Sequence, residues 1–477
     1  MGGIGVLVAL VLLVFSTATL SGMVVGAMTM DWLAFEAFAL LSASYLVLAA
    51  FAYLVSAEQM KHLNRSHVFV GAIVMWLSLV FAAMPAFILV EGAGPFVAFF
   101  EASSAATTLG SSLTPVSSMS MAMTVYRAAT AWLGGLLTLM LAVYVLGRYA
   151  VGGTPNKELR VVLHGASRAD PRLIQTFWEV LVPYGAVTLV CAALLVMVRV
   201  DPAQAVLGAL NTLSTNGLIA WQTSGTIFNN RLAEIIMMTF MMAGASSIIW
   251  LRMLTLLEWR ALERHGETGV FLVTGLVSVL VGIALSLATF PLGRFWGDDL
   301  FNRAFDIISV LTTTGISHDV RQGASVPLIF LIGLALVGGC AYSTAGGIKI
   351  FRLRSMLHHS SNEIKRLVYP SQILPGSVDA DKASFAAAKA TWSAFFSVLI
   401  FVMLMTSFFA ALGHGFTASL SLAVGGFATV GNLVSGNLFT TGSPGVPVLT
   451  LVGVSVAGVV GRIELLVILA AFSRSRW

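Results

Sequence analysis

Four short turns along this chain combine threonine or serine with glycine, a pairing that suits the binding of a dehydrated cation. They read Thr107-Thr108-Leu109-Gly110, Ser214-Thr215-Asn216-Gly217, Thr312-Thr313-Thr314-Gly315 and Ala428-Thr429-Val430-Gly431-Asn432. Proteins replace the water shell of a potassium ion with four loops whose backbone carbonyls face one axis. Glycine adopts positive φ without a steric cost, which lets neighbouring carbonyls face that axis, while threonine hydroxyls add ligands or support the backbone. Together the four turns predict one potassium-binding filter.

Each turn lies between two long apolar stretches and directly follows a short apolar segment. The short segments lie near residues 96–106, 203–213, 299–311 and 416–427. Segments of this length are too short to cross about 30 Å of hydrocarbon, so each one is predicted to be a re-entrant helix that ends inside the membrane. Its C-terminal end carries about half a negative charge, which favours a cation in the central cavity. The alternative interpretation is four ordinary loop ends between helices.

The fold predicted from this pattern is an all-α polytopic membrane protein. It has four pseudo-symmetric helix–re-entrant pore loop–helix repeats preceded by two N-terminal helices. The predicted divisions are 1–60 for the two N-terminal helices, 61–150 for repeat 1, 151–262 for repeat 2, 263–360 for repeat 3 with a broken second helix, and 361–477 for a cytoplasmic linker and repeat 4. The predicted spans lie near 4–28, 32–56, 67–90, 122–147, 176–199, 232–257, 268–290, 327–356, 389–412 and 446–471.

The composition requires a membrane environment. Hydrophobic residues make up 58% of the 477 residues and charged residues only 10%, whereas a soluble domain needs about 25% charged residues to cover its surface. The apolar runs are continuous rather than alternating, which excludes a β-barrel. Most of the 26 lysines and arginines fall in segments opposite the four turns. Because cytoplasmic loops carry an excess of basic residues, both termini are predicted in the cytoplasm and the turns near the outer face.

Acidic residues are predicted on the same side as the turns. Among them are Glu91 and Glu101, with several aspartates. An acidic mouth would concentrate cations near the filter. The alternative is ordinary solvated loop charge, since exposed charges are screened beyond about 8 Å at physiological salt.

Residues 338–347 interrupt an otherwise apolar stretch with a run rich in glycine and alanine. Each glycine weakens a helix by about 1 kcal/mol, so the run predicts an unwound segment that includes Gly346 and Gly347. Such irregular backbone is tolerated within a membrane where it lines a cavity or is buried in protein. The alternative is a small-residue face that packs against a neighbouring helix.

Charged residues also occur inside apolar runs. Arg462 and Glu464 lie in the last span, where a charge costs at least about 2.5–3.5 kcal/mol. Two residues apart on a helix, they point to different faces and are not predicted to pair with each other. Arg462 therefore requires the pore, the carbonyls of the unwound segment or a carboxylate as its partner. Lys349 lies nearer the inner end of its span and could reach the interface.

These features resemble the pore-forming subunits of the Trk/Ktr/HKT potassium-transporter superfamily, and most nearly its bacterial TrkH/TrkG branch. The resemblance runs from about residue 66 to the C-terminus, and the two leading helices fit the Trk branch. Besides the turns, the residues that carry it are Phe100-Glu101-Ala102-Ser103-Ser104, Tyr126-Arg127, Trp132-Leu133-Gly134-Gly135, Gly338-Gly339-Cys340-Ala341-Tyr342-Ser343-Thr344-Ala345-Gly346-Gly347-Ile348-Lys349, Glu363-Ile364-Lys365-Arg366-Leu367-Val368-Tyr369-Pro370 and Gly461-Arg462-Ile463-Glu464.

The resemblance implies potassium uptake across the bacterial inner membrane, with K+ in the filter and no nucleotide on this chain. It also implies that residues 338–347 are an intramembrane gating loop, that Arg462 projects into the pore beside it, and that Lys349 contributes to the gate. The expected partners are a second copy of the chain, in a homodimer, and a separate cytoplasmic TrkA-like ring of regulator-of-potassium-conductance subunits that binds NAD(H) or ATP. Membrane lipid surrounds the chain, and no nucleic-acid partner is expected.

The turns depart from the superfamily pattern at several positions. Leu109 stands where a small polar residue is usual, Asn216 occupies the same place in the second turn, and the fourth has Val430 and Asn432. In the superfamily a serine in place of the first glycine accompanies sodium permeation, so Gly110 favours potassium. The irregular neighbours predict weak rather than sharp discrimination between potassium and sodium.

Two other classes of function compete with a potassium pathway. An ion-coupled secondary transporter of a small solute typically has inverted repeats and acidic residues at mid-membrane. Here the repeats all run in one direction, and few carboxylates fall within spans. A membrane enzyme is not predicted, because the chain has no HExxH, GxSxG or aspartate-dyad motif and its eight histidines are scattered.

Overall fold

The structure is a computed structural model that describes residues 2–56, 65–114, 118–149, 151–154, 173–218, 230–258, 266–289, 296–317, 326–368, 378–439 and 446–472. These residues are almost entirely helical, and seven of the helices are long and apolar enough to cross a membrane. Two further spans are bent pairs, which brings the number to as many as nine. The chain is therefore a multi-pass membrane protein.

The helices follow the predicted order closely. The leading helices are α1 (Gly2–Met28) and α2 (Trp32–Ser56), and repeat 1 has α3 (Arg65–Leu89), α4 (Pro95–Ala106) and α5 (Met121–Met140), which continues as a π-helix, Leu141–Gly147. Repeat 2 has α6 (Leu173–Met197), α7 (Pro202–Leu213), α8 (Arg231–Ala245) and α9 (Ile248–Thr255). Repeat 3 has α10 (Gly266–Thr289), α11 (Trp296–Leu311), α12 (Leu328–Val337) and α13 (Ile350–Val368). Repeat 4 has α14 (Val378–Ala411), α15 (Phe416–Ala428), α16 (Gly431–Phe439), α17 (Val448–Ile463) and α18 (Leu465–Phe472).

Local sequence explains where the short helices α4 and α7 begin. Each has proline at its first position, Pro95 and Pro202, where the missing backbone N–H carries no penalty. Asp201 precedes Pro202 and accepts hydrogen bonds from the backbone of Ala203 and Gln204 at 3.1 and 3.3 Å. A side-chain cap of this kind satisfies donors that have no partner within the helix.

The four repeats pack around one centre. Each short helix contacts the long helix before it, in the pairs α3–α4, α6–α7, α10–α11 and α14–α15. The helix after each turn contacts the short helix of the next repeat, in the pairs α5–α7, α8–α11 and α12–α15, and α17 closes the circle by packing on α4. This cyclic order brings the four turns to the middle of the molecule.

Two spans are broken where continuous helices were predicted. The second helix of repeat 2 bends by 113° between α8 and α9, and the last span bends by 83° between α17 and α18. Glu464, at the second bend, has φ of 64°, a conformation that L-residues rarely adopt. The predicted break in repeat 3 is present, because α12 ends at Val337 and α13 begins at Ile350.

Candidate functional site

The four turns share one backbone structure. In each, a threonine one or two positions after the end of the short helix has φ of 56°, at Thr108, Thr215, Thr313 and Thr429. Its N–H donates to the carbonyl three residues back, and the next N–H donates to the carbonyl five residues back. These two bonds define a Schellman motif, which normally places glycine in the left-handed position. A β-branched residue there is a backbone outlier, and such outliers cluster at functional sites.

The glycines of the four turns meet in a closed ring. We call the turns loop 1 (residues 107–110), loop 2 (214–217), loop 3 (312–315) and loop 4 (428–431). A Cβ atom on Gly110 would lie 2.3 Å from the nitrogen of Gly217, one on Gly217 2.8 Å from the Gly315 oxygen, and one on Gly315 2.6 Å from the Gly431 nitrogen. A Cβ atom on Gly431 would lie 2.8 Å from the oxygen of Gly110. The backbones of neighbouring loops therefore touch at four places, in chain order, and we call each of these contacts a seam.

Besides the four threonines, two of the four loop glycines have a positive φ angle. Gly110 and Gly315 have φ of 71° and 75°, as expected of a turn glycine. Gly217 and Gly431 are not among the residues with positive φ, so at these two positions the close neighbour, rather than the dihedral angle, requires glycine.

The residue before each glycine is buried behind the ring and differs between loops. The side chains of Leu109 and Val430 join the hydrophobic core, so only their backbone carbonyls are available to an ion. Thr314 pairs with Thr312 at 2.9 Å through their hydroxyl oxygens. In loop 2, the Asn216 amide donates to the Oδ1 atom of Asn211 on α7 at 2.8 Å.

Asparagine oxygens lie at two of the four loops. The Oδ1 atom of Asn216 is buried and has no hydrogen-bond partner among the described residues. Asn432 follows the glycine of loop 4 in the first turn of α16, and its Oδ1 atom is likewise buried without a partner in the described chain. These departures from the family pattern make the ring chemically asymmetric.

The segment between α12 and α13, residues 338–349, is held against repeat 2 by backbone hydrogen bonds. We call it the broken segment. The Cys340 N–H donates to the carbonyl of Ala245 at 2.9 Å, and the Ile248 N–H donates to the carbonyl of Tyr342 at 2.7 Å. Both repeat 2 partners lie at the bend between α8 and α9. The bend therefore frees backbone groups that the broken segment satisfies.

Arg462 joins the broken segment to loops 1 and 4. Its Nε atom donates to the Thr107 carbonyl at 2.7 Å, and one terminal nitrogen donates to the carbonyl of Thr344. The other terminal nitrogen donates to the hydroxyls of Thr108 and Thr429, the latter at 2.8 Å. The side chain is 3% exposed, so it neither reaches the interface nor forms an ion pair with a described carboxylate. Its partners are the loops and the broken segment.

The remaining two left-handed threonines also contact the broken segment. The Thr215 hydroxyl donates to the carbonyl of Thr344 at 3.2 Å, and the Gly346 N–H donates to the Thr313 hydroxyl at 2.8 Å. Gly347 follows with φ of 81°. The hydroxyls of all four left-handed threonines are thus engaged by Arg462 or by the broken segment.

The position of Lys349 near the end of its span suggested that its side chain could reach the membrane interface, but it does not. It is buried, and its Nζ atom donates to the carbonyls of Ser343 and Ala345 at 3.3 and 2.8 Å. The unwound backbone supplies these acceptors, which a regular helix would have used internally. Lys349 therefore ties the end of the broken segment to its middle.

An ion pair fixes the two elements next to this region. Arg352, on the first turn of α13, donates to the Glu464 carboxylate at the bend between α17 and α18 and to the Gly152 carbonyl at 3.2 Å. Glu464 was not predicted to pair with Arg462, and the structure pairs it with Arg352 on another helix. Removing either member would leave a buried charge unpaired.

The predicted acidic mouth is only partly present. Glu101 is fully buried and pairs with Arg127 at 2.5 Å, so it cannot act as a solvated charge. Glu91 is half-buried, and both of its carboxylate oxygens are enclosed without a hydrogen-bond partner in the described part of the chain. Burial raises the pKa of the Glu91 carboxyl above its ordinary value, Arg127 opposes that shift, and Glu101 adds to it.

This environment predicts that stability depends on the charge of Glu91. A carboxyl whose pKa is raised in the folded state is most favourable when protonated, so its contribution is lost as pH rises through the folded-state pKa. We expect the melting temperature of the purified protein to fall as pH rises through the window above 4.5, the ordinary value. Glu91→Gln should remove that part of the pH dependence, as measured by thermal unfolding at a series of pH values.

The control for this prediction is Glu36→Gln on α2, a carboxylate for which no such enclosure is found. Equal pH dependence in the wild type and in Glu91→Gln would show that the Glu91 carboxyl is not responsible.

The sequence did not predict the bend in repeat 2, the bend in the last span or the helix α16. A signal for the bend was available in Gly244-Ala245-Ser246-Ser247, since glycine and serine pairs are common at helix kinks. The sequence of α16, Gly431–Phe439, contains two glycines and two asparagines, which weakened its helical pattern. The basic residues Lys157, Arg160, Arg168 and Arg172, on the side opposite the four turns, lie outside the described residues.

Comparison with known proteins identifies the same architecture. Residues 36–475 match the model of the TrkH family, described as a cation transport protein. The chain is 26% identical to the Trk system potassium uptake protein TrkG of Escherichia coli over 86% of this chain and 85% of that protein. It is 27% identical to the TrkH protein of Halomonas elongata over 90% of this chain and 89% of that one. The crystal structure of the potassium transporter TrkH from Vibrio parahaemolyticus superposes with a TM-score of 0.85 at 21% identity, covering 99% of this chain and 98% of that one.

Proposed function

This chain belongs to the TrkH family of cation transport proteins, and from that membership we propose that it takes up potassium across the bacterial inner membrane through the ring of four loops. It is a transport protein rather than an enzyme. The curated relatives with which it aligns over most of their length are named potassium uptake proteins. The single observation that supports the pathway most directly is the closed contact of the four loop glycines.

The ring has the chemistry that a dehydrated potassium ion requires. Four short helices end at the loops, so the negative ends of four helix dipoles converge there. The proposed ligands are backbone carbonyls of loops 1–4, with the threonine hydroxyls at their inner ends. Because Asn216, Asn432 and two apolar side chains make the loops unequal, we expect modest rather than sharp selectivity for potassium over sodium.

The gate is proposed to be the broken segment together with Arg462 and Lys349. In this structure the broken segment lies against the inner end of the ring and engages its threonine hydroxyls directly or through Arg462. Two buried positive charges beside the pathway oppose the passage of a cation. Opening would require Gly346, Gly347 and their neighbours to leave the loops.

The surroundings of the transporter are proposed from the family and from the charge pattern. We propose that both termini lie in the cytoplasm, that the loops open toward the outer face, and that two copies of the chain form a homodimer. The regulatory partner is proposed to be a cytoplasmic TrkA-like ring that binds NAD(H) or ATP. Exposed basic residues such as Arg354 and Lys365 on α13 are the described part of the surface that would meet it.

The test is ion flux through the purified chain in liposomes. We expect vesicles containing the protein to take up rubidium, a potassium substitute, above the rate of protein-free vesicles. Sodium uptake should be slower, by about tenfold rather than by several orders of magnitude. Uptake of the radioactive ion into potassium-loaded vesicles, driven by the outward potassium gradient, measures both rates.

The control is the same vesicle preparation with an excess of unlabelled potassium outside, which should suppress rubidium uptake both by competition for the ring and by removing the outward potassium gradient. Uptake equal to that of empty vesicles for every monovalent cation would overturn the proposed function. Stimulation by a small organic solute, with no cation flux in its absence, would favour the secondary-transporter alternative.

A further inference from the structure

A buried ion pair lies beside the stretch of chain that follows loop 1. Glu101 is on the short helix α4 and Arg127 on α5, and their side chains are 0% and 2% exposed. The guanidinium carbon of Arg127 also lies 5.2 Å from the centre of the Phe87 ring. Charges this deeply buried require one another, because removing either partner leaves an uncompensated charge.

The Glu101 carboxylate does more than neutralise Arg127. It accepts a hydrogen bond from the backbone N–H of Leu113 at 2.7 Å. The Ser112 hydroxyl lies 3.1 Å from each carboxylate oxygen and 2.9 Å from the Thr114 carbonyl, and its single proton is shared among these acceptors. Both donors belong to the chain that leaves loop 1 after Gly110. Hydrogen bonds to an ionised acceptor are shorter and stronger than neutral ones. We call residues 111–113 the exit of loop 1. The ion pair therefore holds this exit against α4 and α5.

A second contact fixes Ser111, which is one residue nearer to the ring than Ser112. The Ser111 N–H donates to the Ser104 hydroxyl at 3.0 Å, and that hydroxyl donates to the Ser111 carbonyl at 2.5 Å. The Ser111 hydroxyl lies 2.9 Å from that of Ser435 on α16, which links loop 1 to repeat 4. Residues 111–113 are thus fixed to their own short helix and to the neighbouring repeat.

The other three short helices do not carry the same group at this position. Nine residues before the loop glycine, where α4 has Glu101, α7 has Gly208, α11 has Asp306 and α15 has Leu422. Gly208 and Leu422 have no side-chain acceptor, and Asp306 is half-buried and shorter by one methylene. Glu101 is therefore the only glutamate at this position of the four short helices, and it belongs to loop 1, whose Gly110 touches both Gly217 and Gly431.

We infer that Glu101 and Arg127 are positioning residues for the ring and set its discrimination between potassium and sodium from behind loop 1. Neither side chain touches the transported ion. Both act by fixing the exit of loop 1, and thereby the two seams at which Gly110 contacts loops 2 and 4. This inference rests on the proposed function, because discrimination has meaning only if the ring conducts.

The test compares Glu101→Gln and Ser112→Ala with a matched control. Glu234→Gln also alters a fully buried glutamate paired with an arginine, Arg231 at 2.8 Å, but Glu234 lies in the first turn of α8 rather than on a short helix. We expect Glu101→Gln to lower the ratio of rubidium to sodium uptake about threefold or more, toward unity, and Ser112→Ala to lower it by a smaller factor. Glu234→Gln should lose thermal stability but keep the wild-type ratio.

A second readout does not depend on ion flux. In the double variant Ser111→Cys and Ser435→Cys, the two thiols should form a disulfide rapidly under mild oxidation. Both native cysteines, Cys191 and Cys340, are buried, so they should not compete. Adding Glu101→Gln should slow the cross-linking about tenfold, because the exit of loop 1 is no longer fixed, whereas adding Glu234→Gln should not.

An unchanged uptake ratio in Glu101→Gln would overturn the inference, and an unchanged cross-linking rate would show in addition that the ion pair does not fix the chain after loop 1. An equal loss of the ratio in Glu234→Gln would also overturn it, because the effect would then be one of general stability. If the wild type conducts no cation, the proposed function fails, and the cross-linking rate alone decides whether the ion pair positions loop 1.

Discussion

Gly110→Ala is expected to reduce rubidium uptake about a hundredfold, because the ring has no room for a methyl group at this seam. The new Cβ atom would lie 2.3 Å from the nitrogen and 2.7 Å from the Cα atom of Gly217, both of which are backbone atoms that cannot rotate away. The φ angle of 71° adds strain for any residue with a Cβ atom. Loops 1 and 2 must separate, and their carbonyls then no longer surround a dehydrated ion at the same distances. Uptake into liposomes, normalised to the amount of folded protein, measures the effect.

Gly315→Ala tests the same effect independently, at the contact between loops 3 and 4. Its Cβ atom would lie 2.6 Å from the nitrogen of Gly431, and its φ angle is 75°. Gly110→Ser adds a hydroxyl at the first seam, and we expect it to lower the ratio of rubidium to sodium uptake in the fraction that still conducts.

Gly185→Ala is the matched control for these substitutions. Gly185 lies inside α6, and a Cβ atom there would meet nothing within 4 Å. Alanine should stabilise this helix slightly, by up to about 1 kcal/mol, and leave uptake unchanged. Wild-type uptake in both Gly110→Ala and Gly315→Ala would rule out the ring as the ion pathway.

Local features of the sequence were sufficient to predict the repeats. The short helices were recognised from their length, and their observed bounds differ from the predicted ones by a few residues at most. Length and apolar composition are properties of a segment alone, so no knowledge of its neighbours is needed. The same holds for the break in repeat 3, where the glycines of residues 338–347 weaken the helix locally.

Features that depend on distant partners were not predictable in this way. The bend after Ala245 is stabilised by Cys340 and Tyr342, which lie about a hundred residues further along the chain. Glu101 was expected in a solvated mouth, because its partner Arg127 lies on another helix and only the fold brings the two together. The four threonines in the left-handed conformation were also unexpected, because glycine is the residue that normally occupies this position.

Arg462 illustrates both situations. Its cost within an apolar span, and the absence of a suitable partner on its own helix, follow from the sequence. Its actual partners belong to loops 1 and 4 and to the broken segment. The sequence thus indicated that a partner must exist, and the fold determined which one.

Arg462→Ala is expected to raise the basal rubidium leak about thirtyfold. A fixed charge about 8 Å from a permeating cation, at an effective dielectric constant of about 20, raises the barrier by about 2 kcal/mol, or about thirtyfold in rate. The substitution also removes donors from the Thr344 carbonyl and from the hydroxyls of Thr108 and Thr429. Uptake in the absence of any regulatory partner is the measurement, since the leak through the closed state is what should change.

Arg462→Lys separates the charge from the hydrogen-bond network. Lysine keeps the positive charge but lacks the planar fork that reaches loop 1, loop 4 and the broken segment together. If charge alone blocks the pathway, the lysine variant should leak as little as the wild type. If the network holds the broken segment in place, it should leak nearly as much as the alanine variant. Arg354→Ala, which removes an exposed arginine from α13, is the control and should leave the leak unchanged. A fall in uptake in Arg462→Ala, with the protein still folded, would mean that Arg462 supports the open pathway rather than the closed one.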